Sequence, residues 1–348
     1  MKRYTWDRYQ KTIPDDRFYY ARSCIRQNFF PGSEAVFLRI LRDDLGVDVF
    51  DDAKHTSCTG IGYHSDIVPL ETIMTVVARQ FALMTEAGYE NMVSSCITSF
   101  GLYTEILTMW EHHPELEEQA RANLKAATGR DFVKPKCVVH SSDLIFHFRE
   151  RIAEKAKVRL VDPVSGRPLK VVDHIGCHYA KIFPTAGIGG SEFPYVLAGM
   201  VESWGGETVD YPERRHCCGF GFRNYLVQAN RGVPLSNSRQ KLESMAPYKP
   251  DFIVANCPGC TMFLDKWQYA ISEIEGVTYG PDGRGIPVLS YEEMAGLVLG
   301  YGPWDLGMQM HQVSVEPLLN KLEIEYDESH KFLGNNGKYI SHPAHCGL

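Results

Sequence analysis

The chain lacks any long apolar run. Nowhere do about 18 consecutive apolar residues occur, which excludes a helical bilayer span. The opening "MKRYTWDRYQKTIPDD" carries charge but no apolar stretch of leader length, so the expected compartment is the cytoplasm. A basic block is missing as well. Lys and Arg number 36 against 43 Asp and Glu, for a net charge of -7, which argues against a sequence-independent nucleic-acid binder. Cysteine is sparse, 10 in 348 residues, too few for a disulfide scaffold. A nucleotide fingerprint is also absent: "AGIGGSE" (186–192) is glycine-rich but lacks the full Gly-x-Gly-x-x-Gly pattern and a preceding strand.

What remains is a globular chain, 44% hydrophobic and 23% charged, large enough to bury the cores of two domains. Its cysteines are not spread evenly. Five of them form the arrangement Cys177, 39 residues, Cys217-Cys218, 38 residues, Cys257-x-x-Cys260. Clustered thiols in a reducing compartment suggest metal or redox chemistry rather than bridges. By contrast, Cys137 lies inside the apolar run "CVVH" and reads as a small buried hydrophobe, and Cys346 lies in the tail "HPAHCGL".

"LKVVDHIGC" and "PDFIVANC" are apolar, β-branched runs that predict buried parallel strands ending at Cys177 and Cys257. Between them "SEFPYVLAGMVESWGG" predicts an amphipathic helix with Ser191 as N-cap, closed by Gly205-Gly206. "GETVDYPE" predicts a further strand ahead of "RRHCCGFGF", and "CPGCTMFLDKWQYAISEI" predicts a helix opening at Cys257. This alternation is that of an open α/β sheet, which takes its ligands outside the carboxyl ends of the strands.

The first half repeats the plan. "RFYYARSC" ends in Cys24, "PGSEAVFLRILRDDLG" predicts a helix, "VDVFDD" a strand, and "ENMVSSC" a strand ending in Cys96. "SCTGIGY" matches "HCCGFGF", pairing Cys58 with Cys217, and "CITS" matches "CPGC", so Thr59 and Ser99 stand where the second half has Cys218 and Cys260. The expected fold is therefore α/β, two similar Rossmann-like open-sheet lobes related by pseudo-twofold symmetry. The expected boundaries are 1–130 for a first lobe with a degenerate motif, 131–315 for a second with all five cysteines, and 316–348 for a tail. Adjacent thiols converge on one site only where the backbone bends sharply, and Gly219 and Gly221 permit that bend.

These residues resemble a known family. "GCHYAKIFP", "HCCGFGF", "ANCPGC" and "IPVLSYEEMAGLVLGYGPWDLGMQMH", with "YYARSCIRQNFFPGSEAVFLRIL" and "VKPKCVVHSSDLIF", are similar to the B-subunit family of heterodisulfide reductases, which carries the cysteine-rich CCG domain twice. The likeness runs over roughly residues 16 to 315. It implies a noncubane [4Fe-4S] cluster ligated by Cys177, Cys217, Cys218, Cys257 and Cys260, at which a disulfide is cleaved or formed. It also implies, as partners, a small ferredoxin-like subunit together with the flavin-bearing subunit of the same complex. The degenerate first motif fits the heterodisulfide reductase-like form of sulfur oxidisers, with lipoate-bound sulfur as substrate.

In the first lobe Cys24, Cys58 and Cys96 leave three readings open: an iron-sulfur site, zinc with His55 or His64 as fourth ligand, or no metal. His174, His178 and His216 flank the second set as hydrogen-bonding or packing neighbours. Two other functions compete. Cys257-Pro-Gly-Cys260 alone would suit a metal-free dithiol-disulfide oxidoreductase, and the full set would suit a structural zinc protein for assembly.

Overall fold

The computed structural model describes residues 13–14, 17–55, 59–180, 187–190, 194–221 and 232–328. Cys58, Ser191, Cys346 and the tail beyond 328 lie outside them. Two compact units are present: Met1–Asn28 with Phe37–Phe148 and Cys177–Val196, and Phe29–Val36 with Arg149–Gly176 and Leu197–Leu348.

The first unit holds a sheet of β1 (Arg17–Ala21), β2 (Asp48–Phe50), β3 (Asn91–Ser94) and β4 (Cys137–His140) in the order β2-β1-β3-β4. All its pairings are parallel. The fourth strand comes from beyond residue 130 because Asn91–Ser94 pairs with Cys137–His140 residue for residue. β1 is buried at four of its five positions, as expected of a strand covered on both faces. The helix Leu70–Glu86 lays Ile73, Met74, Val77, Ala78 and Phe81 into the core, at the spacing that keeps them on one side. Phe81, Trp110 and Phe132 complete that core, with Trp110 and Phe132 rings 5.4 Å apart.

The second unit repeats the order. β5 (Lys170–His174), β6 (Glu207–Thr208), β7 (Phe252–Ala255) and β8 (Val288–Ser290) run β6-β5-β7-β8, again all parallel. β7 and β8 are buried throughout. The expected α/β architecture of two similar open sheets is therefore present. In each sheet the connection reverses direction between its first and third strands, and this reversal opens the crevice where such sheets bind ligands.

Three elements differ from their sequence-based expectations. The helix expected over "SEFPYVLAGMVESWGG" runs over Val196–Ser203 alone, with Pro194 and Tyr195 ahead of it non-helical. The strand expected over "GETVDYPE" pairs only at Glu207 and Thr208, with Val209 N still donating to Val171 O at 2.9 Å. Pro212 has no N–H for a ladder, and Tyr211 turns inward so that its hydroxyl donates to Asp173 O at 3.1 Å. The helix expected over "PGSEAVFLRILRDDLG" is α over Pro31–Arg39 and widens into a π turn over Ile40–Asp44, where Leu45 N donates to Ile40 O.

Candidate metal centre

The site lies where β5 and β7 end. Asn256 leaves β7 with its side chain buried, and its Oδ1 accepts from Gly176 N at 2.9 Å. That bond fastens the segment leaving β5 to the segment leaving β7. The first sheet has the counterpart: Ser95, just before Cys96, donates from both N and Oγ to Ala21 O at 3.2 Å.

Cys257 is the N-cap of the helix Pro258–Glu275, in extended backbone (φ -119°, ψ 125°), with Pro258 in its first turn. The capping carbonyl accepts from Thr261 N at 2.9 Å and Thr261 Oγ1 at 3.1 Å. Cys260 then falls one turn along, where spacing of three returns a side chain to the same helix face. Its Sγ accepts from the Cys218 Sγ thiol at 3.2 Å, and both residues are buried. Cys217 Sγ accepts from Gly219 N at 3.4 Å. None of these four cysteines is in a disulfide.

Two glycines make this approach possible. Gly219 has φ +97°, and a Cβ there would lie 2.5 Å from Pro234 O. Only glycine meets both conditions without displacing backbone. Behind it, Ser238 Oγ donates to Cys218 O at 2.5 Å. Gly259, inside Cys-Pro-Gly-Cys, faces the Phe220 ring, which a Cβ would meet at 2.5 Å. Phe220 in turn packs edge-on against Phe263. The aromatic after the paired cysteines thus covers the glycine between the other two.

Charge around the thiols is arranged by four further side chains. His174, at the end of β5 and buried, brings a ring nitrogen within 4.8 Å of the Cys218 and Cys260 sulfurs; among the described residues this trio is the group with metal-ligand spacing. Beside it Asp173 holds Arg214 in a buried two-pronged pair, 2.7 and 2.5 Å. Burial would lower the Arg214 pKa, and Asp173 overrides that cost and keeps the guanidinium charged. Lys241, on the helix Gly232–Met245, is buried with Nζ donating to the carbonyls of Glu213, Arg214 and His216. Burial depresses its pKa to about 7, against the opposing pull of the Cys218 and Cys260 thiols. The Cys218 thiol is pushed up first by its hydrogen bond with Cys217, and Cys260 by its bonds with Cys218 and Cys257, with burial adding to both.

A buried cluster of thiols, with two sulfur atoms in contact, a nearby imidazole and no disulfide among them, fits a thiophilic metal or iron-sulfur group. Cys177 begins the short helix Cys177–Ala180, directly after the Gly176 that Asn256 holds.

In the first unit Cys96 repeats the geometry of Cys257, as an N-cap in extended backbone (φ -136°, ψ 127°) before the helix Ile97–His112. Ser99, fully buried, occupies the position of Cys260, and Thr59 precedes the helix Gly60–His64. Cys24 opens the helix Cys24–Phe29. His55 is buried, its Nδ1 accepting from Arg22 N at 3.4 Å, and burial drops its pKa to about 4. His64 stacks on His178 with ring centroids 3.9 Å apart, and its Nε2 donates to Thr98 O. Cys137 is half-buried at the start of β4.

A family model described as the CCG cysteine-rich domain matches residues 171–265. The chain is 26% identical over 317 residues to the B subunit of the Ferredoxin:CoB-CoM heterodisulfide reductase of Methanosarcina acetivorans, covering 90% of this chain and 98% of that protein. It is 27% identical over 299 residues to the protein of that description from Methanosarcina mazei, covering 86% and 94%. A crystal structure of a hypothetical protein from Helicobacter pylori superposes with a TM-score of 0.63 at 13% identity, over 89% of this chain and 56% of that one, a likeness of fold alone. The matched relatives are parts of reductases, so the gathered thiols belong to a cysteine-rich redox subunit with an oxidoreductase role. Among the described residues no helix is long and apolar enough to cross a membrane. With its cysteine-rich domain and its near full-length likeness to these proteins, the chain is similar to the B subunits of heterodisulfide reductases.

Proposed function

We propose that the chain is the sulfur-active iron-sulfur subunit of a heterodisulfide reductase-like complex, with Cys177, Cys217, Cys218, Cys257 and Cys260 holding a noncubane [4Fe-4S] cluster. The observation that carries this reading is the 3.2 Å approach of the Cys218 and Cys260 sulfurs, with Cys217 and Cys257 adjoining them in the chain and His174 alongside. A cubane or a structural zinc uses four ligands, and the family pattern uses the fifth.

When bound, such a cluster supplies single electrons and iron positions that an incoming sulfur can reach. The protein's part is to hold the thiolates together in a buried pocket, which Gly219 and Gly259 permit, and to balance their charge. Cleaving one disulfide takes two electrons and two protons and yields two thiols; the reverse returns both. With no flavin or nicotinamide fingerprint and no ferredoxin-type cysteine run, the chain exchanges electrons with partners, which in the family pattern are a ferredoxin-like subunit and the flavin-bearing one. Thr59 and Ser99 in place of thiols favour the sulfur-oxidiser form, acting on lipoate-bound sulfur. Cys24, Cys58 and Cys96 form a second site, for an iron-sulfur group or zinc.

Anaerobic purification followed by iron, zinc and sulfide analysis and EPR tests the reading. The expected result is about four iron atoms per chain in the second unit, broad visible absorption and an EPR signal unlike that of a cubane. A colourless preparation holding only zinc overturns it in favour of a structural zinc protein. A metal-free preparation with thiol-disulfide exchange activity overturns it in favour of a dithiol enzyme at Cys257 and Cys260.

A further inference from the structure

Lys241 is a lysine in a place that charges rarely occupy. Its residue is fully buried, and its Nζ donates to Glu213 O at 2.6 Å, His216 O at 3.0 Å and Arg214 O at 3.1 Å. Three acceptors match the three N–H groups of an ammonium; a neutral amine would leave one carbonyl without its donor. The three carbonyls belong to the turn that runs directly into Cys217-Cys218. One side chain thus sets the path of the backbone that presents both adjacent thiols.

A buried ammonium needs a compensating negative charge. Among the described residues no carboxylate forms an ion pair with Lys241. Asp173, the nearby acid that acts on it, is already engaged by both prongs of Arg214. Lys241 Nζ donates to His216 O, one residue before Cys217. On the iron-sulfur reading Cys217, Cys218 and Cys260 are thiolates, and they supply the compensating negative charge beside that turn.

The duplicated fold supplies an internal control. Gln80 precedes Cys96 by the same interval as Lys241 precedes Cys257, and each lies on the helix that leads into the strand ending at its cysteine. Both side chains are buried. The unit with Thr59 and Ser99 in place of two thiols has a neutral amide at this position, and the unit with the full thiol set has an ammonium. Charge at this point follows the number of thiols.

We infer that Lys241 is the built-in counter-charge of the thiol centre, a positioning residue that fixes the 213–216 turn and raises the reduction potential of the group held by Cys217, Cys218 and Cys260. This rests on the iron-sulfur reading above. A fixed positive charge in a low-dielectric interior favours the reduced, more negative state, so its removal must shift the midpoint downward.

The test compares full-length wild type, Lys241→Gln and Lys241→Arg, purified anaerobically, by iron content and by potentiometric titration of the cluster's EPR signal. Lys241→Gln installs the first unit's residue. Iron at the wild-type level with a midpoint shifted to lower potential is the expected result. Wild-type iron with an unmoved midpoint overturns the inference. If Lys241→Gln loses iron, Lys241→Arg decides: iron retained there assigns the loss to charge, and iron lost there as well assigns it to side-chain shape and overturns the inference. Wild type without iron is a different result, which fails the iron-sulfur reading itself.

Discussion

His311 Nε2 lies 3.1 Å from Glu293 Oε1, and both side chains are fully buried. Asp265 stands 3.8 Å from the other ring nitrogen. Both carboxylates are also held from the backbone: Glu293 completes a capping box with Ser290, and Asp265 accepts from Gln312 N and Val313 N. The imidazolium is thus a cross-brace between the helices Pro258–Glu275 and Tyr291–Val298. Burial alone would lower its pKa, but Glu293 and then Asp265 reverse the sign and raise it to about 10.

A folded pKa above the ordinary value near 6.5 means stabilisation that is complete below about pH 6.5 and lost as pH climbs through about 10. Urea unfolding of the wild type should therefore weaken across this window. His311→Gln should cost about 3–5 kcal/mol at pH 6, the range for breaking a buried pair, and should flatten that part of the pH profile. Parallel profiles for variant and wild type would refute the brace.

Cys218→Thr places in the second unit the residue that the first unit has at Thr59. It should abolish the visible chromophore and lower the iron content, because the Cys218–Cys260 contact is lost. Cys137→Ser is the matched control, since Cys137 opens β4 in the sheet of the first unit and lies outside the five-cysteine motif. An unaltered spectrum in Cys218→Thr would contradict the assignment of Cys218 as a ligand.

The converse change is Thr59→Cys with Ser99→Cys. Ser99 follows a capping cysteine in extended backbone as Cys260 does, so the change returns a thiol to the matching position on its helix. The double variant should gain iron, toward about four further atoms per chain, and a second copy of the wild-type EPR signature. Iron content and EPR indistinguishable from wild type would show that this unit lacks more than two sulfur atoms.

Gly219→Ala should destabilise the fold and impair metal retention. The left-handed backbone costs about 1–2 kcal/mol for a residue with a Cβ, and that Cβ would press on Pro234 O at 2.5 Å. Gly221→Ala should be tolerated, since no described residue lies within 4 Å of its added carbon. Thermal melts of both variants, with iron content, separate the two glycines; equal behaviour would remove the special role of the first.

Much of the site was legible because its signals are local. "LKVVDHIGC" and "PDFIVANC" announce buried strands that end at cysteines, and the duplicated motif announces two sheets of one order. The side chains that balance charge were not legible. Asp173 and Arg214, or Lys241 and the turn at 213–216, meet only through the crossover between β5 and β7, and nothing in "SNSRQKLESM" marks its lysine as buried. Its one sequence-level sign is the register with Gln80, which becomes readable only when the helix before β7 is set against the helix before β3. Gly259 was legible as part of a motif, but its cause, the Phe220 ring lying across it, depends on a contact between two loops.

The contact between Cys218 and Cys260 bears on how the protein is assembled. Two thiol sulfurs at 3.2 Å need little movement to reach the bond length of about 2.05 Å. An oxidant that removes two electrons, with two protons released, would close them into a bridge, and under the proposed ligand set neither sulfur would then be open to a metal. On that proposal loading and oxidation compete for one pair of atoms, and the order of events after synthesis decides whether the chain becomes a working redox protein or a sealed, inert one.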